Sequence, residues 1–414
     1  MTTLVTNVRL FDGRGGDVLE DAAVEIKGGR FSRIGRRADF GQSPSAKTVI
    51  DGSGMFAMPG LINMHIHLVF NYAIGLPHVA TNKSAPEMTI HAVRVAANTL
   101  AQGITTARDM GGKDDIPIHM RKAINAGEIP GPRILTCNQP IRVSGGHGNV
   151  GFEADGVDGF RRAARLQLAA GADFVKVMAS HDPFTMPGEE PSRAELTFEE
   201  MEAAFEVAHS WGRLTACHVM NSIATERVVR AGADIIDHGE YLPVAVAEEM
   251  ARKGVYLTPT LSAYDTQTMH PRFRRGEPWA KAHEVLIPGH RTAFKNALEA
   301  GVKMVNGTDS SGCYAEEVAL MREGGMSAVE SVLACTSTAA KALRMNAEIG
   351  TVEAGKRADL IVLSDNPLND PYALEAVEWV IKDGRAHRPD DLTYAERLVP
   401  DGASMVELAR YPKD

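Results

Sequence analysis

Cysteine is scarce in this sequence, and the cysteines it has are far apart. The four residues, Cys137, Cys217, Cys313 and Cys335, form no CxxC pair. This excludes the spacing of a zinc knuckle and that of a dense disulfide framework. We expect buried free thiols in a protein of a reducing compartment.

Long apolar runs and a surplus of positive charge are also missing. No stretch approaches the roughly 18 apolar residues that cross a bilayer, so no membrane partner is expected. The first residues, MTTLVTNVRLFDGRGG, reach Arg9 and Asp12 before any apolar run develops, which predicts no secretory signal and a cytoplasmic location. The net charge of -9 gives no general attraction for phosphates, so no nucleic-acid partner is expected either.

The middle of the chain repeats one pattern. From Leu61 to about Ser337, short apolar strands that end in polar residues alternate with amphipathic helices, as at 214–218 followed by 222–231 and at 235–238 followed by 244–253, and a later strand is predicted at 303–306. Such repeats predict an α/β fold with a parallel sheet, and their number favours a closed (β/α)8 TIM barrel. A chain of 414 residues is long enough for this barrel and a smaller domain.

Both ends of the chain contain short strands with no helices between them. They are predicted at 3–11, 22–26, 31–34, 358–363 and 377–382. Neither end has enough apolar sequence for a core of its own, which predicts one small β-sandwich formed from both termini. We assign residues 1–57 and 353–414 to the sandwich, residues 58–352 to the barrel, and a last helix to 403–410.

Histidines and one aspartate fall at the ends of the predicted barrel strands. His65 and His67 are two residues apart, so in a strand both imidazoles point to one side and reach one metal ion. His218 and His238 end two later strands, and Asp309 follows another through a short turn. A single strand-end histidine is more often a structural residue. Together these residues predict a metal site at the face where barrel enzymes place catalytic groups.

Lys176 interrupts an apolar strand at a position that should point into the barrel. A buried free ammonium is costly unless it is paired. A lysine carboxylated by CO₂ would instead offer an anionic bridge between two metal ions. Alone, such a residue is more often an ion-paired lysine, but its place among the strand-end residues favours the bridge.

These motifs resemble those of the amidohydrolase superfamily. PGLINMHIH at 59–67 is similar to the superfamily's opening PGLIDxHxH, and the later motifs follow in the expected order, namely VK at 175–176, CH at 217–218, DHG at 237–239, GTD at 307–309 and the closing element at 350–360. The resemblance covers almost the whole chain. Within the superfamily the chain is similar to the prolidase-like group of Xaa-Pro dipeptidases and carboxypeptidases, on the segments GITTARD at 103–109, GPR at 131–133, GGHG at 145–148 and KVMAS at 176–180.

The resemblance implies a centre of two divalent metal ions. In it, the first metal is bound by His65, His67 and Asp309, the second by His218 and His238, and the bridge is N6-carboxylated Lys176. Zinc is the default for a site rich in histidine, although iron, manganese and cobalt suit the same ligands. The metals would activate a water, His147 would polarise the scissile carbonyl, and Asp309 would act as general base and then as general acid. The alternative for His147 is a residue that caps a glycine-rich turn.

The activity implied is hydrolysis of a carbon–nitrogen bond in a small-molecule amide, such as a dipeptide, an N-acyl amino acid or an aryl amide. The run Val219-Met220-Asn221 after His218 departs from the tyrosine-containing run of related dipeptidases, so contacts to a substrate carboxylate stay open. Arg142 or Arg193 could make such a contact, although surface salt bridges are the commoner role.

Three alternatives stay open. Urea or carbamate hydrolysis fits the same ligands. Deamination within the same superfamily usually needs one metal, so Lys176 argues against it. A non-catalytic scaffold is the least favoured interpretation, because all six ligand positions are filled. As in many soluble enzymes, a homo-oligomer is expected.

Overall fold

The computed structural model describes residues 2–41, 46–69, 84–148, 150–181, 192–264, 277–310 and 312–392. For residues 277–285 it describes the backbone alone. The helix predicted at 403–410 lies outside these ranges.

The described chain alternates strands and helices in an α/β fold. The strands are β1 (Thr2–Leu10), β2 (Leu19–Lys27), β3 (Arg30–Arg36), β4 (Thr48–Asp51), β5 (Phe56–Pro59), β6 (Leu61–Ile66), β7 (Ile104–Asp109), β8 (Arg133–Thr136), β9 (Ile141–Arg142), β10 (Phe152–Glu153), β11 (Phe174–Met178), β12 (Leu214–Val219), β13 (Ile235–His238), β14 (Tyr256–Thr258), β15 (Lys303–Met304), β16 (Leu360–Leu363), β17 (Val377–Lys382) and β18 (Arg385–His387). The helices are α1 (Ala85–Ala101), α2 (Ile116–Ala126), α3 (Gly156–Ala170), α4 (Phe198–Ser210), α5 (Ser222–Ala231), α6 (Val244–Lys253), α7 (Glu277–Glu299), α8 (Tyr314–Glu323), α9 (Ala328–Ala334) and α10 (Ser337–Ala342). Short 3-10 helices lie at Arg37–Phe40, Pro371–Glu375 and Pro389–Asp391.

Strands from both ends of the chain form one mixed sheet. Its order is β18-β17-β16-β5-β1-β2-β3, and β4 pairs with β1. Strand β5 joins the two halves, since it runs parallel to β1 and antiparallel to β16. Apolar residues of both halves share one buried cluster, which includes Val5, Val24, Phe31, Leu360 and Ile381. Neither terminal segment therefore builds this core alone.

The remaining strands form two parallel sheets. One has the order β6-β7-β8, and the other β10-β9-β11-β12-β13-β14-β15. Backbone hydrogen bonds also connect the two sheets at both sides: the Met64 N–H donates to the Asn306 carbonyl at 2.8 Å, and the Asp173 N–H donates to the Thr136 carbonyl at 2.8 Å. The carboxyl ends of the strands thus meet at a common edge.

Alternation along the central strands separates a side that faces the helices from an inner side. In β11, Val175 and Val177 pack in a large apolar cluster with Phe160 of α3 and Phe205 of α4. Because successive strand residues point to opposite faces, Lys176 lies on the inner side, where it is 2% exposed. Polar residues of the neighbouring strands lie on this inner side for the same reason, because their side chains also alternate between the two faces.

Capping residues mark where the helices after these strands begin. The Thr197 hydroxyl accepts from the Glu200 backbone N–H, and the Glu200 carboxylate accepts from the Thr197 N–H, which makes a capping box at the start of α4. At the start of α5, the Asn221 side chain accepts from the N–H groups two and three residues further on. Helix α5 ends at Ala231 and is followed by the capping residue Gly232, whose φ of 94° suits glycine. The loops above the parallel strands are therefore bounded by local sequence.

All four cysteines are buried and free, as expected. Burial raises the pKa of each thiol above its ordinary value, which keeps the thiols protonated and unreactive. Among the helices that the structure describes, none is long and apolar enough to cross a membrane.

Candidate metal centre

Four histidines and one aspartate lie together where parallel strands end. They are His65 in β6 and His67 just after it, His218 in β12, His238 in β13 and Asp309 after β15. An isolated parallel bridge pairs Ile66 with Asp309, so the end of the last parallel strand lies beside the end of the first. All five residues that the sequence assigned to metal binding at strand ends therefore converge.

Distances between the side chains are those of a compact cluster. The ring centroid of His65 lies 5.3 Å from that of His67 and 5.0 Å from that of His238. The ring centroids of His218 and His238 are 4.6 Å apart. The Asp309 Oδ1 atom is 3.8 Å from His65 Nε2 and 3.5 Å from His67 Nε2. Ligand atoms of His65, His238 and Asp309 all lie within 4.8 Å of one another.

The rings are oriented by hydrogen bonds on one nitrogen. The Nδ1 atoms meet oxygens of the chain: His65 with Asp237 at 3.1 Å, His67 with the Gly111 carbonyl at 2.9 Å, and His238 with the Thr260 hydroxyl at 2.7 Å. Since a carbonyl oxygen only accepts, the Nδ1–H of His67 donates and the lone pair lies on Nε2. Metal-binding histidines are commonly held in this way.

These residues fit divalent metal ions. The Nε2 atoms of His65 and His218 are buried and have no hydrogen-bond partner, an arrangement that costs free energy unless a ligand occupies them. Imidazole nitrogens with a carboxylate oxygen form the donor set that suits zinc and related transition metals. The cluster therefore offers neutral nitrogen and anionic oxygen ligands on adjoining strands.

Burial sets the protonation of this cluster. Desolvation, aided by the Lys176 ammonium, lowers the pKa of His65 and His67 well below 6.5, and desolvation with neighbouring imidazoles lowers that of His218 and His238 in the same way. The four rings are thus neutral at pH 7, as metal binding requires. Desolvation raises the pKa of Asp309, and the same ammonium opposes that rise.

Left-handed backbone occurs where three adjacent strands end. The φ angles are 72° at His238, 53° at Thr260 and 53° at Asp309. Such values are uncommon outside glycine, and they concentrate at functional sites because the surrounding structure enforces them. Here they turn the chain directly at two candidate ligands and at the hydroxyl that holds one of them.

Lys176 lies within reach of the whole cluster. Its charge lowers the pKa of all four strand-end histidines. Among the residues that the structure describes, no carboxylate lies within 4.0 Å of its ammonium, although the side chain is only 2% exposed. The buried carboxylates of Asp109, Asp237 and Asp309 interact with it electrostatically but form no direct ion pair with it. A buried ammonium without a direct ion pair is costly, and carboxylation would relieve that cost.

His147 lies over the cluster on a glycine-rich loop. Its ring stacks on that of His218, with centroids 4.5 Å apart and planes at 21°. The left-handed backbone of Gly145 and Gly148, with φ of 70° and 80°, lets the loop turn on both sides of it. Burial, and next the charge of His181, lowers the pKa of His147 to about 3, so the ring is neutral and can donate one hydrogen bond.

Glu195 is a residue that sequence reasoning missed. One carboxylate oxygen accepts from the His147 backbone N–H at 2.9 Å, and the other lies 2.5 Å from Nδ1 of His181. The side chain of Glu195 is 2% exposed. It therefore ties the loop of His147 to the chain that follows β11. Glu195 follows the exposed Arg193 by two residues, and nothing in this local sequence indicates that its carboxylate is buried.

Arg108 and Asp237 were also missed as parts of the site. Both are buried, and the Asp237 carboxylate accepts hydrogen bonds from Arg108 and from His65. Charged residues inside the apolar strands β7 and β13 were a usable signal, because such residues are rarely buried unless paired.

Arg142 and Arg193 pair with carboxylates of this chain. Arg142 donates to Glu153 at 2.6 Å and to the Gly146 carbonyl at 2.8 Å. Arg193 lies 3.6 Å from Glu195. Both arginines thus hold the loops around the cluster.

Proteins of known sequence and structure resemble this chain over nearly its whole length. A profile of the amidohydrolase family matches residues 56–386. Ochratoxinase of Aspergillus niger is 29% identical over 410 residues, which cover 89% of this chain and 83% of that protein. Its crystal structure superposes with a TM-score of 0.83 at 26% identity, over 96% of this chain and 99% of that one.

Two further solved structures carry small molecules. A Xaa-Pro dipeptidase with bound methionine in the active site has a TM-score of 0.84 and 28% identity, over 94% of this chain and 100% of that one. A prolidase complexed with N-methylphosphonate-L-proline has a TM-score of 0.85 and 26% identity, with the same coverage.

The chain belongs to the amidohydrolase family. It is a hydrolase that acts on carbon–nitrogen bonds, and the expected likeness to prolidase-like members is confirmed.

Proposed function

We propose that this protein is a binuclear metal-dependent amidohydrolase. The convergence of four neutral imidazoles and one carboxylate at the ends of parallel strands carries the proposal. His65, His67 and Asp309 would hold one divalent ion, His218 and His238 would hold a second, and N6-carboxylated Lys176 would offer its carboxylate to both. Zinc is the metal of first choice for this donor set.

The chemistry divides between the metals and the chain. When bound, divalent cations supply Lewis acidity, which lowers the pKa of a water to near 7 and polarises a carbonyl. Asp309 takes the proton from the attacking water and delivers it to the leaving nitrogen, so that the amine departs neutral. His147, whose neutral ring stacks on His218, donates a hydrogen bond to the oxygen on which charge develops.

The proposed substrates are amides whose leaving group is an amino acid, namely dipeptides and N-acyl amino acids. Methionine and a proline derivative occupy similar structures, which favours a site that takes an amino acid. Aryl amides are the next choice. No contact in the described residues singles out a urea, a carbamate or a deaminase substrate, and Lys176 argues for two metals rather than one.

The architecture proposed for this function is a closed barrel with a composite sandwich. Three strands of one parallel sheet and β11 to β15 of the other supply eight strands. Hydrogen bonds from Met64 to Asn306 and from Thr308 to the His65 carbonyl support closure between the first and the last of them. The shared apolar cluster of both termini supports the sandwich. The boundaries at 57/58 and 352/353 stay predictions.

A hydrolysis screen of the zinc-loaded protein tests the function. Dipeptides, N-acyl amino acids, aryl amides, phenylureas and carbamates are incubated with the enzyme, and released amines are identified by mass spectrometry. We expect release of a C-terminal amino acid. Turnover only of amides without a carboxylate would reject the amino-acid substrate class, and a metal content of one per chain would reject the binuclear centre.

A further inference from the structure

A buried arginine reaches from β7 toward the candidate ligands. Arg108 is 1% exposed and lies inside an apolar strand. Taking a guanidinium out of water is costly, and the cost is offset only by close counter-charges and well-formed hydrogen bonds. The contacts of Arg108 therefore indicate what the chain gains from placing it there.

Two of the three hydrogen-bond partners of Arg108 lie in strands that carry candidate metal ligands, and the third lies in the neighbouring strand β14. Its Nη2 donates to Asp237 Oδ1 at 2.5 Å and to the Thr258 hydroxyl at 3.3 Å, and its Nε donates to the Met64 carbonyl at 2.5 Å. Asp237 directly precedes His238 in β13, while Met64 lies in β6. One side chain thus links β7 of the first parallel sheet with β13 and β14 of the second.

Asp237, which accepts a hydrogen bond from Arg108, also contacts His65. The same Oδ1 atom lies 3.1 Å from His65 Nδ1. An ionised carboxylate only accepts, so the Nδ1–H of His65 donates to it. The lone pair then lies on Nε2, which is buried, has no hydrogen-bond partner, and is 3.8 Å from Asp309 Oδ1.

Arg108 also fixes the peptide in front of this ligand. Met64 immediately precedes His65, and its carbonyl accepts the Nε–H of Arg108. The guanidinium therefore holds both the backbone that carries the imidazole and the carboxylate that orients it. Two attachment points define the direction of Nε2 more tightly than one hydrogen bond to a flexible group.

We propose that Arg108 and Asp237 are positioning residues, which together set the tautomer and the direction of His65 so that its Nε2 faces a divalent cation. The inference rests on the proposed function, in which His65 is a metal ligand. It adds two residues, neither of which touches the metal, to the machinery of this site.

A role in stability alone does not account for this geometry. Replacing a buried ion pair by apolar residues of similar volume is often neutral or stabilising, so such a pair is a poor device for stability. Arg133 offers a comparison within the chain. It is another largely buried arginine, and its hydrogen bonds run to Thr106, Asp359 and Asp383, none of which is a candidate ligand.

Zinc affinity of the full-length protein tests the inference. The variants are Arg108→Met, which leaves Asp237 without its counter-charge, and the double variant Arg108→Met/Asp237→Leu, which removes both charges and keeps the volume. The dissociation constant for Zn²⁺ alone is measured by competition with a chromophoric chelator. We expect both to bind zinc about 10- to 100-fold more weakly than the wild type, and circular dichroism to show that the double variant is folded.

Arg133→Met is the matched control, and we expect it to keep the wild-type zinc affinity. A folded double variant that binds zinc as tightly as the wild type would overturn the positioning role. So would an equal loss of affinity in Arg133→Met, because general destabilisation would then explain both. If the wild type hydrolyses amides and the double variant binds zinc with the same affinity as the wild type, only this inference fails. If the wild type binds no zinc, the proposed function fails first.

Discussion

At the scale of single residues, the role of Lys176 decides whether the site holds one metal ion or two. The side chain is buried on the inner side of β11, and no carboxylate of the described residues lies within 4.0 Å of its ammonium. A carboxylated lysine offers two oxygens, one for each metal. We therefore expect Lys176→Ala to reduce the zinc content from two ions per chain to one and to abolish amide hydrolysis, with the metal measured by plasma mass spectrometry after reconstitution.

Lys303→Ala is the control for this change. Lys303 starts β15 and is exposed, so its removal should leave two zinc ions and full activity. If Lys176→Ala also retains two ions, the lysine is not a bridge, and an ordinary ion-paired or structural role would replace the proposal.

His147 is the second residue whose role can be isolated. Its ring stacks on His218 but its pKa of about 3 keeps it neutral at pH 7. If it donates to the developing oxyanion, His147→Ala should lower kcat about 100- to 1,000-fold and leave the zinc content unchanged. Steady-state kinetics with a dipeptide and metal analysis of the same sample measure both.

The exposed His209 of α4, which pairs with Asp234, supplies the control variant His209→Ala. A loss of zinc in His147→Ala would show a ligand instead of a hydrogen-bond donor. Unchanged kcat would leave His147 with the turn-capping role that its glycine-rich loop also permits.

The sequence indicated which residues form the candidate site better than it indicated how they are held. His65, His67 and His238 stand at strand ends, a local signal, and the structure brings them together. The support from Arg108 was not predictable in this way, since its carboxylate partner lies 129 residues away. Contacts between distant strands depend on the register of the whole sheet, which no local pattern specifies.

At the scale of elements, the pattern of apolar and polar residues predicted several boundaries. The structure has β13 at Ile235–His238, α5 at Ser222–Ala231 and α6 at Val244–Lys253, as the sequence indicated. The last parallel strand is shorter than the predicted 303–306, because only Lys303 and Met304 pair in register with β14. Beyond them the backbone turns to β6, where Asn306 accepts the Met64 N–H, so tertiary pairing overrides the local pattern.

Glu317 of α8 gives a test at this scale. Its carboxylate accepts from the backbone N–H groups of Leu261 and Ser262, just after β14. Burial nevertheless raises its pKa from 4.5 to about 7. Between these pH values the folded protein holds the proton that the unfolded chain has lost, so the stability that Glu317 contributes falls as the pH rises.

Glu317→Gln removes this titration. We expect the free energy of unfolding of the variant, relative to the wild type, to rise by up to about 3 kcal/mol between pH 4 and pH 8, measured by urea unfolding at constant zinc. Glu330 is the opposite case, since hydrogen bonds from Ser327 lower its pKa, so Glu330→Gln should lose relative stability over the same range. A rise in both variants would contradict the assignment of Glu330, and a fall in both would contradict that of Glu317.

At the scale of the whole molecule, buried charges join the composite sheet to the parallel strands. Arg133 of β8 donates to Asp359 at 2.6 Å and to Asp383 at 2.6 Å. Asp359 in turn accepts from the Asp383 backbone N–H at 2.8 Å. The C-terminal strands are thus attached through one arginine to the sheet that carries Arg108. This attachment connects residues more than 220 positions apart, and local patterns could not show it.

Removing this arginine should therefore weaken the whole molecule and not its metal site. Arg133→Met leaves Asp359, which is 4% exposed, without its counter-charge, and breaking a buried pair in this way costs about 3 to 5 kcal/mol. Urea unfolding should show that loss in a single transition if the sheet and the parallel strands unfold together. Arg161→Met, which removes an exposed pair with Asp158, should change little. Equal effects of the two substitutions would mean that the buried network adds nothing beyond a surface ion pair, whereas a separate early transition in Arg133→Met would mean that the composite sheet unfolds independently.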